Sequence, residues 1–487
     1  MRGGDRLQAH SVDRALSIWP RLPRMKMRVK SSAGGLRACG VVLALCLLAT
    51  GPHIESGSAE PRRIGPNVVV IVTDDQRKDT MSVMPKTRRW FRGSGVTYKS
   101  AWAPTPLCCP ARSSIFTGQY AHNHLVRNND PGQVNNLKQR HTIQFLLGRA
   151  GYRTGMVGKY LNLWDLTQAP PYFDHYSLSG SNNYNEALWN LDGELVTHHG
   201  YTTSFMKRRV VEFLREAEKD DDKKPWFLYV ATRAPHAPAT PEPLYERARV
   251  PRWEGNPAVF EIDRTDKPPH VQADVGKFWR SRRHRKAQLR SLMSVDDFIE
   301  DLRLALTELG EKSSTLVFYV SDNGEQWAEH GVTGKGAAYT GSIKIPMFAR
   351  LPGQLPVGKK DKRMVSLVDI APTILDAANV TPTHVLDGRS LLDGSWRRDA
   401  LLFEYWSQLR RSERPNWASV RTSNDQYTEY YDIDAQSVVF REHYDLLLDP
   451  WQLENKLADL NPSNDPDIAR LSALLDRYRG CKGSSCP

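Results

Sequence analysis

Three runs of the chain are apolar almost without interruption: Val68-Val-Val-Ile-Val72, Trp226-Phe-Leu-Tyr-Val230 and Thr315-Leu-Val-Phe-Tyr-Val320. Runs without polar alternation predict strands buried on both faces, as in a parallel sheet. Each ends in polar residues: Thr73-Asp74-Asp75, Ala231-Thr-Arg-Ala-Pro-His236 and Ser321-Asp322-Asn323-Gly-Glu325. Between the second and third runs, Val295, Phe298, Ile299, Leu302, Leu306 and Leu309 recur at helical spacing, which predicts a helix with one core-facing stripe. Strands alternating with helices predict an α/β fold. Ligands in such sheets gather at the carboxyl ends of the strands, so three polar strand ends point to one shared site.

Past Val380 the pattern changes. Leu401–Trp406, Trp417–Arg421 and Gln426–Tyr431 are short and aromatic-rich, and a helix is expected over Pro466–Tyr478. The expectation is a small C-terminal antiparallel sheet with a terminal helix, its tyrosines serving as core and cross-strand pairs. Residues 60–380 would form the main α/β domain and 381–487 the C-terminal subdomain. Pro251–Arg290 shows no clear period and carries a basic run, Arg280–Lys286, readable as a solvated helix face or as a contact for a polyanion.

Residues 1–59 read as an export signal region. Arg24, Lys26, Arg28, Lys30 and Arg37 precede the apolar Gly40–Ala49, and Gly57-Ser-Ala59 offers a cleavage site. Translation starting at Met25 or Met27 would fit the signal pattern better than Met1. The apolar run is short for a membrane span, so no stable span is expected. The leader holds nine Lys or Arg and three Asp or Glu, so its removal lowers the formal charge from +12 to +6. That balance suits an anionic substrate or an ordinary basic surface, and no nucleic-acid motif accompanies it. An extracytoplasmic destination would allow Cys481 and Cys486 to pair. Cys108 and Cys109 have no evident partners, and adjacent cysteines rarely bridge each other.

Asp74, Asp75, Asp322 and Asn323 supply hard oxygen ligands of the kind Ca²⁺ or Mg²⁺ prefers. One Asp-Asp pair alone reads as a turn or cap; acids at two buried strand ends point to a metal. A helix opening at Cys108, with Pro110 in its first turn, would offer N–H groups and Arg112 to an anion. Lys159, His236 and Lys335 stand in short motifs, Gly158-Lys-Tyr-Leu-Asn162, Ala234-Pro-His-Ala-Pro238 and Gly334-Lys-Gly-Ala-Ala-Tyr-Thr-Gly341.

Taken in order, Asp74-Asp75, Cys108-x-Pro-x-Arg112, Gly158-Lys159, Pro235-His236-x-Pro238, Asp322-Asn323-Gly-Glu325 and Gly334-Lys335 through Tyr339 resemble the successive motifs of the type I sulfatases, in the alkaline phosphatase superfamily. The resemblance runs from about Asn67 to Asp459. Leu107-Cys-Cys-Pro-x-Arg112, Thr117–His124 and Gly158–Asn162 are most similar to the N-acetylglucosamine-6-sulfatase and related branch, with arylsulfatases beside it. The resemblance implies a large mixed, mostly parallel sheet between helices. It also implies that a formylglycine-generating enzyme oxidises Cys108 to formylglycine, whose hydrate attacks the sulfur of a sulfated glycan or small molecule. Asp74, Asp75, Asp322 and Asn323 would hold Ca²⁺, with Mg²⁺ as the second choice, and the residue made from Cys108 would join them. Arg112 and Lys159 would hold the hydrate, Lys335 and His236 the sulfate, and His236 would protonate the departing alcohol.

Two departures stand out. Leu161 occupies a position where many arylsulfatases carry a histidine that helps deprotonate the hydrate, and Thr340 stands where an acid is common. His330 is a further candidate for supporting the site. The implied enzyme is a secreted sulfuric ester hydrolase of the periplasm, cell surface or lysosome. Alternatives are a phosphonate or phosphate ester hydrolase of the same superfamily, a cysteine hydrolase pairing Cys108 with His122 or His236, and a non-catalytic glycan binder.

Overall fold

The computed structural model describes residues 65–180, 183–219, 224–409, 413–432, 437–459 and 461–487. The expected leader lies outside them. In chain order the strands are β1 (Asn67–Thr73), β2 (Val96–Trp102), β3 (Arg153–Gly158), β4 (His175–Ser179), β5 (Glu186–Leu191), β6 (Glu194–His199), β7 (Trp226–Ala231) and β8 (Thr315–Ser321). The two-residue strands β9 (Gln326–Trp327) and β10 (Thr333–Gly334) pair with each other, followed by β11 (Met347–Arg350) and β12 (Lys359–Ser366).

Ten strands form one sheet in the order β12-β2-β11-β8-β1-β7-β3-β4-β5-β6. The three apolar runs lie side by side at its centre, all parallel, with Val69 opposite both Leu228 and Val317. Every residue of β1, β7 and β8 is buried. Alternation along β1 divides its side chains between two helical layers. Val68, Val70 and Val72 join the cluster containing Ile115 and Phe116, while Val69 and Ile71 join Leu292, Phe298 and Leu302. β11 and β5 run against the other strands, which makes the sheet mixed.

The expected amphipathic helix is present but begins earlier, spanning Phe278–Glu308. Its first turns escape pattern recognition because buried Ser281, Arg285 and Gln288 stand where an apolar stripe would be sought. The basic run Arg280–Lys286 is thus helical, with Arg280, Arg282, Arg283 and Lys286 exposed and Arg285 buried. Among the described residues no helix is long and apolar enough to cross a membrane.

The smaller sheet is an antiparallel meander of β13 (Leu401–Tyr405), β14 (Asn416–Arg421), β15 (Asp425–Tyr431) and β16 (Val438–Asp445). One face packs Tyr427 and Tyr431 against Leu471 and Leu475 of the terminal helix Ile468–Arg479. The other packs Phe403, Tyr405 and Trp417 against Trp102 and Leu107, directly behind Cys108. A Cys481–Cys486 disulfide closes the C-terminal loop, and Cys108 and Cys109 are unbridged.

Candidate active site

Four parallel strand ends and one helix start converge on Cys108. The helix Cys108–Thr117 is buried along its whole length. Its N-terminus takes no side-chain cap from Leu107; instead Asn129 Oδ1 accepts from the Cys109 N–H at 2.9 Å. That donor is therefore already engaged, which narrows the N–H cradle expected from sequence.

The acids come from β1 and β8. Asp74 and Asp75 follow β1, Asp322 and Asn323 follow β8, and the Asp75 N–H donates to Asp322 Oδ1 at 3.1 Å. Single ligand atoms of Asp74, Asp75, Cys108 and Asp322 all lie within 4.8 Å of one another. Cys108 Sγ is 3.2 Å from Asp74 Oδ1.

Cations close the cluster from three directions. Lys159 follows β3 and donates to Asp74 Oδ2 at 2.5 Å. Its approach depends on Gly158, which has φ +107° and where a Cβ would lie 2.0 Å from the Ala231 carbonyl oxygen. Lys335 donates to Asp75 Oδ1 at 2.5 Å and to Cys108 Sγ at 2.6 Å. Arg112, fully buried, donates through Nε to Asp322 Oδ2 at 2.8 Å and through Nη1 to the Lys159 carbonyl at 2.9 Å. Its Nη2 lies 3.3 Å from Asp74 Oδ2, within ion-pair reach but off the hydrogen-bond line. His236, in the loop after β7, places Nε2 3.6 Å from Asp75 Oδ2. The site residues expected from sequence are therefore all brought together.

Burial alone would raise the Asp74 and Asp75 carboxyls. For Asp74 this is outweighed by Lys159, His236, Arg112 and Lys335, which hold it well below the usual carboxylate range. Lys335 and His236 lower Asp75. Asp322 is instead pushed up by burial and by the charge of Asp74. Burial and Asp74 push the Cys108 thiol well above its ordinary value. Asn323 Nδ2 donates to Asp75 Oδ1, but Asn323 Oδ1 is buried with no hydrogen-bond partner. An orphaned oxygen and an under-compensated carboxylate, in a set whose atoms other than Cys108 Sγ are all oxygens, fit a hard divalent cation.

Other candidates lie elsewhere. His122 is held between Glu404 Oε1 and the Cys481 carbonyl oxygen, so it does not pair with Cys108. His330 bonds Glu261 Oε2 and stacks on Tyr339, and Leu161 is buried. Thr340 donates through Oγ1 to Gln452 Oε1, which also accepts from the Thr340 N–H.

The small sheet also reaches the site, which the sequence reading missed. Arg414 Nη1 donates to the Lys335 carbonyl at 2.6 Å and Trp417 Nε1 to the Gly336 carbonyl at 2.9 Å. His284 and Gln288 of the long helix both contact Glu325 Oε2. Only the polar stretch of that helix signals such contacts.

A model of the sulfatase family matches residues 66–380, and one described as N-sulphoglucosamine sulphohydrolase, C-terminal, matches residues 328–477. The chain belongs to the sulfatase family. As an enzyme this sulfatase is a sulfuric ester hydrolase. It is 29% identical to N-acetylglucosamine-6-sulfatase of Homo sapiens, over 94% of this chain and 92% of that protein. It is 33% identical to the extracellular sulfatase SULF-1 homolog of Drosophila melanogaster over 72% of this chain, and spans about a third (33%) of the fly protein's length. Its fold matches a solved structure of a protein in complex with its substrate D-glucosamine-2-N,6-O-disulfate, with TM-score 0.70 at 22% identity, covering 85% of this sulfatase and 97% of that chain.

Proposed function

We propose that this sulfatase removes an O-sulfate from a sulfated glycan, N-acetylglucosamine 6-sulfate being the model substrate, in an extracytoplasmic compartment. The observation that carries this reading is the position of Cys108: Sγ lies between Asp74 Oδ1 at 3.2 Å and Lys335 Nζ at 2.6 Å, at the edge of an acid cluster. Sγ stands where the oxygens of a formylglycine hydrate would be. The kinship with glycan sulfatases supports the glycan, and the paired C-terminal cysteines fit an oxidising compartment.

Asp74, Asp75, Asp322 and Asn323 would hold Ca²⁺, which when bound neutralises the acids and lowers the pKa of a coordinated hydroxyl. Formylglycine from Cys108 supplies a hydrated aldehyde, one hydroxyl to attack sulfur and a second whose deprotonation releases sulfate. Around it the chain's own groups orient and neutralise. Lys159 and Arg112 fix the hydrate from the β3 side. Lys335 and His236 bind the sulfate oxygens and stabilise the charge that develops there. His236 donates a proton to the departing alcohol. An unmodified Cys108 is a poor nucleophile by comparison, because burial and Asp74 both oppose its thiolate.

The test is mass spectrometry of the Cys108 peptide from protein co-produced with a formylglycine-generating enzyme, together with turnover of sulfated sugars, aryl sulfates, aryl phosphates and phosphonates. The peptide should carry the aldehyde, activity should scale with its fraction, and sulfates should be preferred. An intact thiol in fully active protein would sink the mechanism.

A further inference from the structure

A cavity of about 530 Å³ opens beside the acid cluster, between the loops that follow β3 and β7. Lys159 and His236 stand in its wall. Its size falls within the roughly 300–1,000 Å³ of pockets that enclose a small ligand, enough for a sugar ring. Asn162, Trp164, Thr202 and Arg233 also line it. Asn162 Oδ1, Thr202 Oγ1 and Arg233 Nε are buried and have no hydrogen-bond partner among the described residues. A buried polar atom left unpaired is costly, so these three, with Trp189 Nε1 on the same cavity, favour a ligand that pairs with them.

Arg233 is the most specific of these groups. Its Nη2 contacts His236 Nδ1 and the Ala237 carbonyl oxygen, each at 3.2 Å. Among the described residues no carboxylate pairs with it, whereas Arg112 has Asp322 and Asp74, and Arg77 has Glu329 and Asp79. The guanidinium fork matches two oxygens of one anionic group. The backbone under it is fixed: Tyr184 Oη donates to the His236 carbonyl at 2.6 Å, and its ring lies 5.9 Å from the Arg233 guanidinium carbon.

We propose that this cavity seats the amino sugar carrying the scissile sulfate, and that Arg233 is a specificity-determining residue that binds a second sulfo group on that sugar. The inference rests on the sulfatase reading above and deepens it. A substrate with both groups places one at Lys335 and His236 and the other at the Arg233 fork, and the uncharged Asn162 and Thr202 are left for sugar hydroxyls.

The experiment compares kcat/KM of the aldehyde-bearing enzyme on glucosamine-2-N,6-O-disulfate and on N-acetylglucosamine 6-sulfate. Wild type should prefer the disulfate by about ten- to a hundredfold, the range of a hydrogen bond to a charged group. Arg233→Gln should collapse that ratio towards one, chiefly through KM, and Arg233→Lys should recover part of it. Because the ratio is taken within one protein, loss of folded material does not mimic the effect. As a second readout, N-sulfoglucosamine should inhibit wild type more strongly than N-acetylglucosamine, and lose that advantage in Arg233→Gln. A wild-type ratio at or below one overturns the inference, as does an Arg233→Gln variant that lowers both substrates equally, since the arginine would then merely orient His236. Turnover of aryl sulfate with neither sugar accepted also overturns it while leaving the sulfatase reading intact. Aldehyde-bearing protein inert towards every sulfate ester defeats that reading, and the inference with it.

Discussion

Lys335 bonds both Cys108 Sγ and Asp75 Oδ1, and its own carbonyl accepts from Arg414 of the small sheet. The ammonium is therefore aimed by the C-terminal meander at a centre built by the main sheet. Burial alone would lower Lys335, but Asp75, Cys108 and Asp74 raise its pKa well above the ordinary lysine value, so it stays charged across the working range. Lys335→Met keeps the volume and removes the charge. Loss of one preorganised stabiliser of developing negative charge should lower kcat by about 10²–10³-fold, measured at saturating aryl sulfate. A loss below tenfold would remove Lys335 from the sulfate-binding set.

Arg112 carries a different expectation, because it is fully buried and paired with Asp322 and Asp74. Breaking a buried pair from one side leaves an uncompensated charge, at a cost of about 3–5 kcal/mol. Arg112→Met should therefore lower the unfolding free energy, measured by denaturant titration, by that amount as well as abolish turnover. A variant as stable as wild type yet inactive would make Arg112 a purely catalytic group and contradict the structural role assigned by its buried contacts.

How much of this was legible beforehand depends on the kind of interaction. Val68–Val72, Trp226–Val230 and Thr315–Val320 were readable as central strands because a strand buried on both faces has no polar alternation, and their polar ends located the acids and His236. The helix at Cys108 was readable from Pro110. The start of the long helix was not, since the buried Ser281, Arg285 and Gln288 leave no apolar stripe; Arg285 donates to the Pro251 carbonyl and Gln288 to Glu325. The support of the Lys335 loop by Arg414 and Trp417 joins residues some eighty positions apart, and no local spacing encodes it. Arg233 sat in plain view after β7, but only the cavity and the missing counter-ion distinguish it from a surface arginine.

The acid cluster should respond to metal in a way that needs no turnover. With Asp322 raised by burial and Asp74, and Asn323 Oδ1 unpartnered, a bound divalent cation stabilises the folded state by mass action, by about 2.7 kcal/mol at a hundredfold excess over Kd. Chelation should lower Tm, and added Ca²⁺ should restore it more effectively than Mg²⁺. Asn323→Ala should weaken the response and Asp322→Asn should weaken it further. A Tm indifferent to both chelator and Ca²⁺ would rule out the metal assignment for these residues.

His122 makes a prediction about pH at the far side of the Cys108 helix, where it ties the C-terminal loop to the fold. Its Nδ1 faces Glu404 Oε1 at 2.8 Å and its Nε2 faces the Cys481 carbonyl oxygen at 2.9 Å, with the Asn123 amide nitrogen also 3.1 Å from Nε2, so each ring nitrogen has an acceptor within reach. Only the imidazolium can donate to both. Burial opposes that charge, but Glu404 outweighs it and the pKa is raised from 6.5 to about 9. A raised folded-state pKa means that the charged ring stabilises the protein fully below about pH 6.5, with the contribution lost as pH climbs to about 9; its ceiling is on the order of 3 kcal/mol. Unfolding free energies of wild type and His122→Gln, measured from pH 6 to pH 9.5, should therefore differ most at the acid end and converge at the alkaline end. A gap that stays constant, or widens with pH, would show that the ring is neutral in the folded protein and that its contacts with Glu404 and Cys481 are not charge-assisted.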